Sequence, residues 1–422
     1  MKKSNKITCM LLIVLLSFAG CFSAKEENGM HIILKVDIED ILRSLAGPHY
    51  SNDSIFNMAI AESKLKLKDS KSDQIDLFAA SFEELNPGGQ LAPYFMTPDS
   101  REEINFNTAN AAVVDYLKTE VADDLEYTVI ILENRLNRLG ISLRNRNHIR
   151  LNNGIDVTIL TKHGNPEKDK IDRIINLLTS QAKLEFWTTY QNKEIWSAIL
   201  EANRFISVMQ EVSDDTCSDE SAQFIRDNPL FAVMSPYTYS GGQLIPSAIA
   251  GVAELKDTAK VNTMLAIPEV KQLFPSDLVF AWHFQTIGEE TPYLYLYALK
   301  ASRKGRPAIG NRHYVTDVYT TTSDPNKEAF EVTLNMNAEG AKSWANLTRE
   351  NIQKALAIVV DGEVYSAPMI YEEIKDGTFP ISENLTQDEA IDLAIILNSG
   401  EMPIKLYAEY VELLGSDESS TP

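Results

Sequence analysis

The apolar residues of this chain fall into short packets whose spacing switches between two residues and three to four residues, and that switching is what most limits the folds open to it. Alternation asks for strands with one buried face; spacings of three and four ask for helices with one buried stripe. A chain that mixes both in short pieces builds helices on antiparallel sheets, the α+β class. Residues 31–36 read as a strand. Ile38, Ile41, Leu42 and Leu45 form one face of the helix that follows, stopped at Gly47-Pro48. Residues 53–85 read as two amphipathic helices, with a break at Asn86-Pro87-Gly88-Gly89, and 108–119 as another helix. Leu125, Val129, Leu132, Leu136 and Leu139 make one helical stripe closed by Gly140. Strands at 147–151 and 155–160 meet at Asn152-Asn153-Gly154, a type I′ hairpin signal. Asn165-Pro166-Glu167 opens a helix that buries Ile171, Ile174, Ile175 and Leu178, and 183–188 is a strand. Strand, helix, hairpin, helix, strand is a split β-α-β pattern.

Residues 191–290 mix helices with loops rich in Pro, Gly, Ser and Asp. Residues 292–299 alternate unusually: Tyr293, Tyr295 and Tyr297 share one face, Leu294, Leu296 and Ala298 the other. A second α+β unit follows, with strands at 329–335, 356–360, 363–367 and 380–384 and helices at 338–347 and 387–398. Asp361-Gly362 turns one strand into the next, Thr386 and Glu389 form a capping box, and Gly400 ends the last helix. A final strand is expected at 402–406, and the tail from Gly415 is expected to be disordered.

The N-terminus reads as an export signal. Lys2, Lys3 and Lys6 precede a run of apolar and small residues at 9–20, too short to span a bilayer. The run ends Ser17-Phe18-Ala19-Gly20-Cys21, which resembles a bacterial lipoprotein cleavage site, although Phe18 stands where Leu is usual. Residues 1–20 are then a signal peptide, Cys21 carries the lipid, and 21–28 form a polar tether whose Lys25-Glu26-Glu27 resembles a surface-sorting signal. No later stretch is expected to cross a membrane, since runs such as 356–360 and 394–397 have the length of strands or helix fragments. With Cys21 acylated, Cys217 is left single in the acidic stretch 214–220, which raises a thiol pKa and makes it inert.

Composition narrows the chemistry. Sixty acidic against 39 basic residues give a net charge of −21, which repels nucleic-acid phosphates and anionic lipid. There is no glycine-rich phosphate loop, zinc-ligand set or nucleophile elbow. His163 near Asp172 reads as a turn residue rather than a general base, and His31 and His283 read as packing residues. No enzyme, cofactor or metal site is expected.

Specific blocks carry a family resemblance. Residues 335–352, Asn-Met-Asn-Ala-Glu-Gly-Ala-Lys-Ser-Trp-Ala-Asn-Leu-Thr-Arg-Glu-Asn-Ile, closely resemble the SecD protein-export subunit. So do residues 356–368, Leu-Ala-Ile-Val-Val-Asp-Gly-Glu-Val-Tyr-Ser-Ala-Pro, and the stretch 387–400. Residues 132–140 are similar to its Arg-Ile-Asp-x-x-Gly helix, and 182–187 to its base strand. Residues 86–93 and 228–233 resemble fused SecD–SecF proteins. The likeness runs through residues 29–407. It implies the extracytoplasmic P1 region: a ferredoxin-like split β-α-β base at 29–190, a following α+β head at 191–407, and a tail at 408–422. In that family the head is thought to grip an emerging preprotein and swing on the base, driven by proton flow. The departures are a lost glycine element, of which only Gly29-Met30-His31 remains, a changed turn at 161–164, and the absence of the later membrane helices and their proton-relay carboxylates.

The expectation is a lipid-anchored, non-motor accessory of protein export in the cell envelope, binding unfolded preprotein, with Sec translocon components as a second class of partner. The candidate contact surface is Tyr293, Tyr295 and Tyr297 with Phe231 and Tyr237; an ordinary half-exposed tyrosine row is the other reading of those residues. Asp361 and Gly362 are read either as a hairpin turn or as a hinge between head and base. A surface lipoprotein that reuses the fold to bind a host or matrix ligand is the alternative function, and a decayed paralogue a third.

Overall fold

The structure is a computed structural model that describes residues 28–47, 50, 53–70, 72–98, 100–141, 149–150, 154–160, 166–210, 220–238, 242–288, 290–302, 306–310, 314–322 and 329–414. The leader, Cys21, Cys217, Asn152 and Asn153 of the hairpin turn, His163 and the tail from Gly415 lie outside the described residues.

The first unit begins with β1 (Gly29–Val36), which buries Met30, Ile32, Leu34 and Val36 on alternate positions. Helices α1 (Ile38–Leu45), α2 (Ser54–Leu67) and α3 (Gln74–Leu85) start at Asp37, Asp53 and Asp73, whose carboxylates accept from first-turn amides. After α4 (Ala92–Phe95) comes α5 (Asn110–Arg138), one continuous helix where the sequence suggested two segments. Nothing between residues 119 and 125 breaks a helix, and Val121 continues the buried stripe from Leu117 to Leu125. β2 (Ile149–Arg150), β3 (Gly154–Leu160) and α6 (Lys168–Thr179) complete the stretch.

β4 (Leu184–Thr189) leaves this unit. The sequence reading placed it beside the first strands; it pairs instead with strands of another sheet. Leu184, Glu185, Phe186 and Trp187 are consecutive and all buried, a pattern that fits a strand covered on both faces and not the half-exposed strand of a single-layer sheet. Next come α7 (Asn192–Gln210), α8 (Glu220–Asp227), β5 (Ser235–Pro236), β6 (Ile249–Glu254), α9 (Thr258–Leu265), α10 (Pro268–Lys271), β7 (Leu278–Trp282) and β8 (Tyr293–Lys300). The C-terminal stretch holds β9 (Val315–Thr322), β10 (Phe330–Met336), α11 (Ala338–Glu350), β11 (Leu356–Val360), β12 (Glu363–Ser366), β13 (Thr378–Leu385), α12 (Gln387–Ser399) and β14 (Leu406–Leu414).

The described strands form three sheets whose named ladders are antiparallel: β14-β1-β3-β2, β13-β10-β9, and β12-β11-β4-β8-β6-β5 with β7 on β8. The closing strand of the first sheet is therefore β14, which returns from the far end of the chain to pair with β1. This is the α+β architecture of antiparallel sheets that the periodicity predicts.

The chain crosses between the first sheet and the others twice, after α6 and before β14. The two crossings touch: Met402 N–H donates to Gln181 O at 2.8 Å. Each holds a left-handed residue, Ala182 at φ 60° and Gly400 at φ 116°. Arg135 of α5, fully buried, fastens both. Its guanidinium donates to Leu177 O (2.8 Å), Ser180 O (2.6 Å), Ser399 Oγ (2.8 Å) and Gly400 O (3.3 Å), and so meets the C-terminal ends of α6 and α12, where helix dipoles favour a cation.

Candidate functional site: a groove between two sheet edges

β12 and β13 are edge strands of different sheets, and they approach each other without forming a ladder. One side-chain bond spans them, from Ser366 Oγ to Ile381 O at 2.8 Å. Beside this contact is a cavity of about 750 Å³. Its floor is aromatic. Trp344 of α11 stacks on Phe379 of β13 (centroids 4.3 Å apart), and Phe186 of β4 packs against both, at 5.2 and 5.9 Å. Asn337 caps α11 and so fixes where Trp344 lies.

One wall is the irregular segment 366–374, which adds Pro368, Met369 and Ile370. The wall is pinned from below: Gln353 N–H donates to Ile370 O (2.7 Å), Ile370 N–H to Lys354 O (3.0 Å) and Leu356 N–H to Pro368 O (3.1 Å). Tyr371, 80% exposed, stands at the rim. His283 also lines the cavity, its Nδ1 2.9 Å from Gln285 O.

Two features mark the cavity as unfinished. The Trp344 and Ser382 side chains are each 1% exposed, yet Trp344 Nε1 and Ser382 Oγ find no hydrogen-bond partner among the described residues. Buried polar groups are almost always paired, and leaving one unpaired costs about 1–3 kcal/mol. In addition, no described strand pairs with the outer edge of β13. Open strand edges are places where another extended chain can add. Among the described residues no group of three or more His, Cys, Asp or Glu side chains is placed to hold a metal ion.

Tyr365 lines this cavity and also a second one, of about 280 Å³, whose lining includes Asp361, Glu363, Glu389 and Asp392. Phe284 stacks on Tyr365 with centroids 4.0 Å apart and planes 3° from parallel. Burial pushes the Tyr365 hydroxyl far above the usual tyrosine range, and the negative charge of Glu363, Asp361 and Glu389 adds to the shift.

The tyrosine surface read from the sequence is only partly assembled. Tyr293, Tyr295 and Tyr297 do share one face of β8. Tyr237 joins them, its ring 5.6 Å from Tyr295. Tyr297 is 8% exposed, however, packed with Trp187, Val359 and Val364, and burial holds its hydroxyl at about 12. Phe231 is on the opposite side of the sheet: it stacks on Trp196 at 5.9 Å and packs with Leu296 and Ala298. The structure brings Tyr237 to the row and keeps Phe231 from it.

Asp361 (φ 52°) and Gly362 (φ 87°) form the tight turn between β11 and β12. Asp361 also reaches the first crossing. Its carboxylate accepts from Ser180 Oγ (2.5 Å), Ala182 N–H (3.3 Å) and Lys183 N–H (2.8 Å). The turn is thus stitched to the connecting segment. His31 bonds Asp156 on the neighbouring strand, as a packing residue would.

Sequence reasoning missed the groove. Its wall, Pro368-Met369-Ile370-Tyr371, has no period of either kind, and an apolar run without period directly after a strand was the available signal.

Comparison with known proteins agrees with the resemblance read from the sequence. Residues 303–404 match the family model of the SecDF P1 head subdomain. The chain is 28% identical over 400 residues to the protein translocase subunit SecD of Rhodothermus marinus, covering 89% of this chain and 60% of that one. Shorter matches include SecD of Dictyoglomus turgidum (47% over 73 residues, 17% of this chain and 18% of the relative) and SecDF of Thermus thermophilus (40% over 85 residues, 20% and 12%). The chain therefore spans about three-fifths of the length of the Rhodothermus relative and under a fifth of the other two. Among solved structures it is similar to SecDF in its super-membrane-facing form (TM-score 0.39, 19% identity, 96% of this chain and 34% of that one). It is also similar to a SecDF structure described as a membrane component that enhances protein export (TM-score 0.35, 23% identity, 69% and 93%). Among the described residues no helix is long and apolar enough to cross a membrane. The resemblance to the extracytoplasmic P1 region of SecD and SecDF is borne out, and it is strongest over the head subdomain at residues 303–404.

Proposed function

We propose that this protein binds unfolded or translocating polypeptide outside the cytoplasm, as a non-motor accessory of protein export, and that the groove between β12 and β13 is where the polypeptide lies. The observation that carries this reading is the pairing of an open strand edge with two buried, partnerless polar groups in one apolar cavity. An extended chain would add to β13 through main-chain hydrogen bonds and set alternate side chains on Trp344 and Phe379. Main-chain bonding tolerates many sequences, as a protein that handles varied export substrates requires. Binding in this way needs no catalysis and no cofactor.

In the same reading the base comprises the first sheet with its helices, and the head everything between the two crossings at 180–183 and 399–405. Cleavage before Cys21 and acylation of that residue would hold the protein at the periplasmic or outer face of a bacterial membrane, within reach of Sec components. The relatives named as translocase subunits support a role in export.

The groove is tested by a photocrosslinking residue placed at Tyr371, and in a second variant at Tyr295, of the full chain in cells exporting a slowly folding protein. Position 371 is exposed, so the replacement leaves the core alone. The expected result is capture of the exported chain from 371 in clear excess over 295. Capture from 295 alone, or from neither position, overturns the assignment.

A further inference from the structure

The apolar groove adjoins a cavity of opposite character, and the two share Tyr365. The second cavity is lined by Asp361, Glu363, Glu389 and Asp392, with Asn176 and Ser180, and among the described residues no lysine or arginine lines it. Their states differ. Asp392 is matched by Arg173 of α6, Nε at 2.6 Å and Nη2 at 2.8 Å. Arg173 Nη1 also reaches Asp388, at 2.5 Å. Glu389 bonds Thr386 in the capping box of α12. Asp361 accepts from the 180–183 segment but has no cation on it among the described residues. Glu363, exposed in the first residue of β12, likewise has no cation within pairing distance among the described residues.

One wall of Tyr365 is thus apolar and aromatic, and the other is anionic and open to a cation. On the apolar side, Trp344 Nε1 and Ser382 Oγ are buried donors with nothing to donate to. We propose that the groove selects extended segments in which a basic residue flanks apolar ones, with the apolar side chains on Trp344 and Phe379 and the lysine or arginine passing Tyr365 toward Glu363 and Asp361. Charge complementarity commits the occupant: an aliphatic–basic sequence satisfies both cavities, whereas an aliphatic–acidic one sets a negative charge against Glu363 and Asp361. This rests on the reading of the groove as a polypeptide site and adds a substrate class to it.

The test is fluorescence anisotropy of the purified full chain with a short fluorescein-labelled leucine–serine peptide carrying one terminal lysine, and with analogues carrying glutamine or glutamate there. The lysine peptide is expected to bind about ten-fold more tightly than the glutamine analogue, the worth of one charge-assisted contact. The glutamate analogue should be weaker still. In a Glu363→Gln, Asp361→Asn double variant the lysine preference should fall below about two-fold while glutamine-peptide binding is kept; asparagine tolerates the positive φ at position 361, and retained glutamine-peptide binding shows that the variant has folded. Equal binding of all three peptides to the unaltered protein would overturn the charge selection and leave the groove reading standing. Binding of none of them would overturn both.

Discussion

At the scale of single residues, Arg135 carries the most structural consequence. It is fully buried, and its guanidinium donates to three carbonyls and a hydroxyl. The C-terminal ends of two helices converge on it, and their negative dipole ends favour a charge there. Replacing it with methionine keeps the bulk and removes the donors, leaving several carbonyls without partners. The expected cost of Arg135→Met is about 3 kcal/mol, read as a lower urea midpoint with an unchanged slope. A loss under about 1 kcal/mol would mean that the arginine does not fasten the crossings. In the sequence this residue looked like one of several charged positions near a helical stripe; only a resemblance block singled out its helix. Burial of an arginine depends on what the rest of the fold brings to it, and residues 177–180 and 399–400 are remote from position 135 along the chain.

At the scale of elements, legibility followed locality. The capping box of α12 and the left-handed Gly140 and Gly400 are decided within a few residues, and the structure has them where the sequence signals stand. Strand membership was harder to read. β4 has a clear strand pattern, whereas the last strand was expected at 402–406 and stands at Leu406–Leu414; which sheet takes each depends on partners at 356–360 and at 29–36. The continuous burial of β4 was the clue that it sits inside a sheet covered on both faces. The groove is a further case of this limit. Each of its edges is an ordinary strand end, and the site arises only because two sheets finish beside each other. The tyrosine row shows the converse: alternation correctly placed three rings on one face, but could not reveal that the far end of that face is covered.

At the scale of the whole molecule, the first sheet and the others are tied by two hydrogen-bonded crossings, by Arg135 of α5 and Arg173 of α6, and by Asp361 of the β11–β12 turn. The anchor makes a separate prediction: Cys21→Ala should abolish incorporation of labelled fatty acid and move the protein out of the membrane fraction, and unchanged fractionation would contradict acylation at that position. The central claim, that the β12–β13 groove receives extended polypeptide, is most directly tested by hydrogen–deuterium exchange of the full chain with and without a saturating unfolded polypeptide. Slowed exchange at residues 366–374 and 378–385, with residues 293–297 unchanged, is the result expected here; protection confined to 293–297, or absent from both strand edges, would contradict it.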